Sequence, residues 1–325
     1  MTSELTMNAT TNKPPTVGVV FPTYCSKRHL FRCLQSVLDS SLNPRVLVID
    51  SSSTDGTAEE AAALGAEVFV VSKSSFNHGT TRELARKNLG TDIVVMMTPD
   101  AYPENSEMLG KLVAPLIAGQ AAVAYARQLP RPGSGFFEAF PRDFNYPATS
   151  HVRGLDDSHL YKIYPFFCSD SCAAYVNSAL DEIGGFKATI FGEDQIAVAL
   201  LMHRGYRVAY VAEARVEHSH SYTINQEFRR YFDHGYAHEE YHEIFALAGQ
   251  GGHGKRFIVA MFGQLAKNKP WLIPYALLNT GVKWLGYQVG KASYRGPLWI
   301  KKTLSASDFY WVSDDFLAKE SQSRA

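Results

Sequence analysis

The feature that most constrains this chain is an alternation in its first hundred residues. Short apolar, β-branched runs are separated by segments of helical periodicity. Val17 to Phe21 reads as a buried strand, and Leu30, Cys33, Leu34, Val37 and Leu38 then recur at helical spacing. Val46 to Asp50 is a second strand, followed by a short helix over Thr57 to Leu64 that Gly65 closes. Glu67 to Val71 and Ile93 to Met97 are two more strands. Between them Thr80-Thr-Arg-Glu83 has capping-box spacing, with a helix to Leu89 and Gly90 just past its end. Repeated β-α units of this length imply a mostly parallel sheet with helices on its faces.

The middle is less regular. Pro130 to Pro147 opens with prolines and glycines and reads as a loop. Ser171 to Val176 reads as a strand, with a short helix ending at Gly184-Gly185. Gln195 to His203 has a helical apolar pattern, Tyr206 to Val211 is a further strand, and from Gln226 onward the pattern is helical. With 325 residues, 46% of them apolar, the chain can bury a core for about two domain-sized units, or one domain with an extension.

Charge separates the ends. Lys plus Arg and Asp plus Glu are 32 each, so there is no net charge. Yet residues 245–306 carry nine cations, Trp and Tyr among them, and no Asp or Glu. That basic, aromatic stretch suits an anionic membrane surface, whereas packed helices with a solvated basic face are the plainer alternative. The neutral total disfavours a dedicated nucleic-acid binder. Four cysteines, without zinc spacing, point to a reducing compartment, and Cys168 and Cys172 read as small buried apolar residues. The first 16 residues are polar and lack a signal-peptide core, and no run of 18 uncharged apolar residues exists to span a bilayer.

Polar residues stand where parallel strands end, which is where such sheets bind ligands. Strand one runs into Pro22-Thr23-Tyr24, strand two into Asp50-Ser-Ser52, and strand four into Thr98-Pro99-Asp100. Taken singly, Asp50 or Asp55 reads as a helix cap. Neither GxGxxG after strand one nor GxxxxGK[ST] is present, so a dinucleotide fold and a P-loop both lose their main signatures.

Four segments in order carry a resemblance: Val17-Gly-Val-Val-Phe-Pro-Thr-Tyr24, Val48-Ile-Asp-Ser-Ser-Ser-Thr-Asp-Gly-Thr57, Met97-Thr-Pro-Asp-Ala101 and Gly192-Glu-Asp-Gln195. Over roughly residues 16–222 the chain resembles the family 2 glycosyltransferases, whose nucleotide-sugar fold is GT-A. Phe76-Asn-His-Gly-Thr-Thr-Arg82 and Glu217-His-Ser-His-Ser-Tyr222 make it similar to the rhamnosyltransferase branch.

The resemblance implies an α/β GT-A domain with a helical C-terminal extension. Its divisions are a flexible N-terminus (1–15), a catalytic domain (16–222, the donor half about 16–101 and the acceptor half about 102–222), a basic membrane-proximal extension (223–312) and a C-terminal tail (313–325). It assigns Pro22, Thr23, Tyr24, Asp50 and Ser52 to the nucleoside, and Asn77, His78, Gly79, Arg82 and Asp100 to the nucleotide and its diphosphate. The start of the 80–89 helix and Gly79 would favour an anion, and Arg82 is a bidentate phosphate donor in kind. A helix cap and a solvated Arg are the alternative. Asp100 survives from a DxD whose first acid is missing. With His218 or His220 it would hold Mg²⁺ or Mn²⁺, the histidine favouring Mn²⁺. Their i, i+2 spacing on a strand puts both histidines on one face.

Asp194 would be the catalytic base of an inverting transfer. Glu193 and Asp170 would meet the acceptor or the sugar, with helix-dipole compensation as the alternative for Glu193 and Asp194. The implied reaction moves L-rhamnose from dTDP-β-L-rhamnose to a sugar hydroxyl of a lipid-linked glycan, in lipopolysaccharide core, O-antigen or rhamnan assembly. Its place would be the cytoplasmic face of the inner membrane. Transfer of another hexose from a UDP- or GDP-sugar, and a non-catalytic membrane-bound glycan-binding module, are the alternatives.

Overall fold

A computed structural model describes residues 13–157, 164–246 and 252–323. Residues 1–12 of the expected flexible N-terminus lie outside them. The described residues form one nine-stranded sheet: β1 (Val17–Thr23), β2 (Arg45–Asp50), β3 (Glu67–Val70), β4 (Ile93–Met97), β5 (Tyr102–Pro103), β6 (Val123–Leu129), β7 (His151–Arg153), β8 (Cys172–Val176) and β9 (Val208–Glu217). The order is 3-2-1-4-8-6-9-5, with β7 also on β9. Pairing is parallel through β3-β2-β1-β4 and again between β6 and β9, and antiparallel where β8 joins the two blocks. β4 and nearly all of β1 and β2 are buried, as expected of parallel strands covered on both faces. The parallel block therefore delivers Thr23, Asp50 and Thr98 to one edge, and β6 with β9 delivers Gln128 and His218.

The expected strand over Tyr206 to Val211 runs further, to Glu217, because it pairs with β6 along almost all its length. The capping box at Thr80 does not form. The helix is His78–Leu89, and Asn77 caps it by accepting from the Gly79 and Thr80 amides at 2.9 and 3.2 Å. Glu83 instead accepts from the Phe186 amide (3.0 Å) and pairs with Arg86. The expected loop from Pro130 ends at Gly135, and Phe136–Asn145 is a helix. Its Phe136, Phe140 and Phe144 recur every fourth position, and this face packs on Phe257, Met261 and Leu265 of the extension. The helix read as amphipathic over Gln195 to His203 is Glu193–His203, and it is buried on most sides.

The extension begins with Ile224–Glu240, which crosses Ile273–Ala292 at close range. A Cβ on Gly286 or Gly290 would sit 2.5 or 2.0 Å from the Phe228 or Phe232 carbonyl, so only glycine permits this approach. Beyond Leu304 the chain returns to the catalytic domain. Trp311 and Phe316 are buried, and Thr80 donates to Asp315 at 2.7 Å from the helix Asp314–Ser323. No helix of the described residues is long and apolar enough to cross a membrane.

Candidate active site

A cleft of about 730 Å³ opens along the carboxyl ends of β4, β6 and β9. Among its lining residues are Tyr24, His78, Arg82, Asp100, Asp170, Glu193, Asp194, His218 and His220, all expected from the sequence. Pro22, Thr23, Asp50, Ser52, Asn77 and Gly79 do not line it. Asp50 is buried and organises the loop after β2: it accepts from Thr23 Oγ1 (2.9 Å), Ser53 Oγ (2.6 Å) and the Ser53 amide (2.8 Å). Ser52, in the left-handed region at φ 57°, donates to the Val71 carbonyl. Two details correct the expected anion site at the 78–89 helix. The Gly79 and Thr80 amides are already taken by Asn77. The space at Gly79 belongs to protein, since a Cβ there would lie 1.8 Å from the Lys187 carbonyl oxygen.

The first charged cluster sits where β4 and β9 end. Asp100 Oδ2 faces His220 Nε2 at 3.3 Å and His218 Nε2 at 3.5 Å, and the three ligand atoms lie within 4.8 Å of one another. The histidines stand just past the end of β9 rather than in it, although the His218 amide still continues the ladder to Leu129. Ser169 Oγ donates to Ser171 Oγ, so it accepts from Gln128 Nε2 at 3.0 Å, which turns Gln128 Oε1 towards His218 Nδ1, also at 3.0 Å. That contact is closer than the 3.4 Å approach of Arg142 Nη2. A proton on Nδ1 would donate to Gln128 Oε1 and leave Nε2 free as a ligand. Two imidazoles and a carboxylate converging this closely fit a divalent ion with nitrogen and oxygen ligands. Burial pushes the Asp100 carboxyl up, but the two imidazoles more than offset it and hold it well below the usual carboxylate range.

The second cluster joins three chain segments. Arg82, on the His78–Leu89 helix, is buried and reaches Asp170 (Nε to Oδ2, 3.2 Å), Glu193 (Nη1 to Oε1, 3.0 Å) and the His78 carbonyl (2.8 Å). It is therefore engaged by protein carboxylates and is neither a solvated arginine nor an open phosphate fork. Tyr175 donates to the other Asp170 oxygen at 2.7 Å. Asp194 starts the Glu193–His203 helix after left-handed Gly192, and accepts from the Asp170 and Gln195 amides. No guanidinium pairs with it among the described residues. Burial, then the Glu193 and Asp170 charges, push its carboxyl well above the ordinary range. Burial also raises Asp170; at Glu193 burial is the largest single influence, but Arg82, His78 and backbone hydrogen bonds together outweigh it and lower the carboxyl.

Residues 18–184 match the sequence profile of "Glycosyl transferase family 2". The chain is a family 2 glycosyltransferase. It is 37% identical over 300 residues to the O-antigen chain rhamnosyltransferase RfbN of Salmonella typhimurium, covering 91% of this chain and 96% of that one. It is 38% identical over 270 residues to the O-antigen chain rhamnosyltransferase WbaN of Salmonella anatum, covering 82% and 86%. Among solved structures, a mannosyltransferase from Pyrobaculum calidifontis, solved with GDP-Man and Mn²⁺, superimposes with a TM-score of 0.61 at 15% identity, over 88% of each chain. Staphylococcus aureus TarS residues 1–349 give 0.51 at 17% identity, over 86% of this chain and 91% of that one. These likenesses establish the GT-A fold, with the helical extension beside it.

Sequence reading of this glycosyltransferase missed Gln128, Tyr175 and Arg142. Gln128 carried a signal, being polar near the carboxyl end of a strand. Tyr175 carried none, since β8 is buried throughout and only the fold turns its hydroxyl onto Asp170. Arg142 lay in the stretch read as loop.

Proposed function

We propose that this glycosyltransferase moves L-rhamnose from dTDP-β-L-rhamnose to a sugar hydroxyl of a lipid-linked glycan, with inversion, in O-antigen assembly. The two Salmonella relatives support the sugar and the pathway class. The observation that carries the chemistry is one cleft lined by both Asp194 and the Asp100, His218, His220 set. Asp194, without a cationic partner and with its carboxyl raised well above the ordinary range, takes the proton from the acceptor hydroxyl. The new bond forms from that oxygen to the anomeric carbon, and the bond to the diphosphate oxygen breaks. Arg82 fixes Asp170 and Glu193 beside it, and Tyr24 and His78 line the donor side. Asp100 with His218 and His220 would hold Mg²⁺ or Mn²⁺, which when bound neutralises charge on the leaving diphosphate. Pro22, Thr23, Asp50, Ser52, Asn77 and Gly79 shape the loops behind the nucleoside. A thermal-shift screen with dTDP-, UDP- and GDP-sugars tests the donor, because a ligand at 100 times its Kd stabilises by about 2.7 kcal/mol. The largest rise is expected with dTDP. A rise confined to UDP- or GDP-sugars would replace rhamnose by another hexose.

The extension supports association with an anionic membrane surface on the cytoplasmic side. Three of the four tryptophans, Trp271, Trp284 and Trp299, are 63–70% exposed there. Lys255, Lys267, Lys269, Arg295 and Lys302 are exposed around them, whereas Lys301 is buried beneath Tyr236 and Trp311. Each cation near such a surface contributes about 1 kcal/mol. Sedimentation with phosphatidylglycerol vesicles is expected, with weaker binding to neutral vesicles and release by Lys267→Glu, Lys269→Glu and Lys302→Glu together. Equal binding to both vesicle types would leave the extension as a packed subdomain.

A further inference from the structure

A second cavity, of about 410 Å³, lies against the catalytic cleft, and Arg142, His220, Tyr222 and Arg230 line both. Away from that shared wall it is lined by Phe257, Ile258, Met261 and Trp284 of the extension. Ile258 and Trp284 are 39% and 63% exposed, so the apolar end opens at the surface of the extension.

The shared wall holds an unmet charge. Arg142 is mostly enclosed and donates Nε to the His218 carbonyl at 2.9 Å. Arg230 lies over the rings of Phe191 and Tyr222, at 5.5 and 5.2 Å from their centroids. Among the described residues neither guanidinium has a carboxylate within ion-pair distance. The cavity's acid, Glu227, pairs through Oε1 with Lys283 at 3.0 Å rather than with either arginine. Two part-buried guanidiniums without a carboxylate partner in contact call for an anion, and arginine's planar fork selects phosphoryl oxygens. The apolar end calls for hydrocarbon.

We propose that this cavity binds the phosphoryl-lipid stem of the acceptor: a phosphate or diphosphate ester at Arg142 and Arg230, with its hydrocarbon chain along Phe257, Ile258 and Trp284. The stem then enters from the extension's exposed apolar face and points its sugar into the cleft. The glycosyl-transfer reading supplies only which end faces Asp194; the binding itself does not depend on it.

Farnesyl diphosphate is the probe, titrated calorimetrically into the full chain in EDTA, beside inorganic diphosphate and farnesol. Binding at least tenfold tighter than either comparator is expected, because only the probe offers both groups. Ile258→Gln with Trp284→Ala, both at exposed positions, should bring it down to the level of inorganic diphosphate. Arg230→Gln should weaken farnesyl diphosphate and inorganic diphosphate alike. Excess dTDP or UDP should leave the probe bound. Displacement by a nucleotide would assign the two arginines to the donor and overturn the proposal. So would affinity equal to either comparator, or an unchanged affinity in the Ile258, Trp284 double variant. Probe binding that persists in a protein shown not to transfer rhamnose would sink the donor reading and leave this site standing.

Discussion

Two charged clusters share the cleft, and desolvation acts on both in the same sense, yet Asp100 in one and Asp194 in the other end at opposite extremes. Asp100 faces two imidazoles, with Arg131 3.7 Å away, and is held down. Asp170, Glu193 and Asp194 share one guanidinium, and Asp194, which does not touch it, is driven up. Burial always favours the neutral acid, so the balance of nearby charges and hydrogen bonds against it decides the outcome. The first cluster gathers ligand atoms that suit a cation. The second holds a carboxyl that binds its proton tightly. A transferase that must stabilise a leaving diphosphate and accept a hydroxyl proton needs one of each, within a single cleft.

The largest expected effect breaks the second cluster. Asp194→Asn keeps the shape and removes the proton acceptor, so transfer should fall roughly 10²- to 10⁴-fold, the usual contribution of a general base. Nucleotide binding, read by thermal shift, should stay. Near-normal turnover with saturating acceptor would assign the proton to another group.

The next effect breaks the first cluster. Asp100→Ala should abolish Mn²⁺ binding by calorimetry and with it any metal response of transfer. Gln128→Met should keep all three ligands but lose the hydrogen bond at His218 Nδ1. Losing a bond that orients a metal ligand costs about 10- to 100-fold in metal affinity. Unchanged Mn²⁺ affinity in Gln128→Met would show that His218 is oriented by packing alone. Full activity after rigorous chelation would mean that protein cations meet the leaving group.

The contrast between the clusters also marks what could be read without a structure. Periodicity and strand-end position located β1 to β4, Asp100 and the helix that starts at Asp194, because these follow local rules of pattern and topology. The use made of Arg82 and Gly79 did not follow. In sequence Arg82 is a free cation after a helix cap. Its engagement depends on residues 170 and 193, which the fold brings in from far along the chain. Gly79 looked open to phosphate, but the backbone of Lys187 fills that space. The loop reading of Pro130 to Pro147 failed because glycine and proline at its start outweighed a fourfold phenylalanine spacing, whose partners lie more than a hundred residues later. Likewise Lys301 counted as a surface charge until the return of Trp311 covered it.

A smaller effect sharpens the second cluster from within. Because Asp194 must be ionised to act, and its carboxyl is raised, the acid limb of kcat/KM should lie above the ordinary aspartate value of about 3.9. Glu193 is the foremost of the charges that raise it. Glu193→Gln should therefore move that limb to lower pH. A limb that stays in place would mean that burial alone sets the proton affinity of Asp194.

The smallest effect is on stability, and it gives adjacent residues opposite signs. Asp194 binds its proton more tightly folded than unfolded. Its contribution to stability is thus present below the unfolded value and lost as pH rises through the raised one. Above the unfolded value the raised, unpaired carboxyl weighs against the fold. Asp194→Asn removes that penalty, so its melting temperature should exceed the parent's, with the gap closing as pH falls towards 4. Glu193 is the reverse case: Arg82 lowers its carboxyl, so its contribution is present above the unfolded value and lost as pH falls through the folded one. Glu193→Gln should melt below the parent at pH 7.5, with a deficit that shrinks in acid. Thermal melts of the three proteins between pH 4.5 and 8 decide the matter. If both variants moved in the same direction, packing rather than charge would govern this cluster, and the division between a proton-seeking and a cation-seeking half of the cleft would fail.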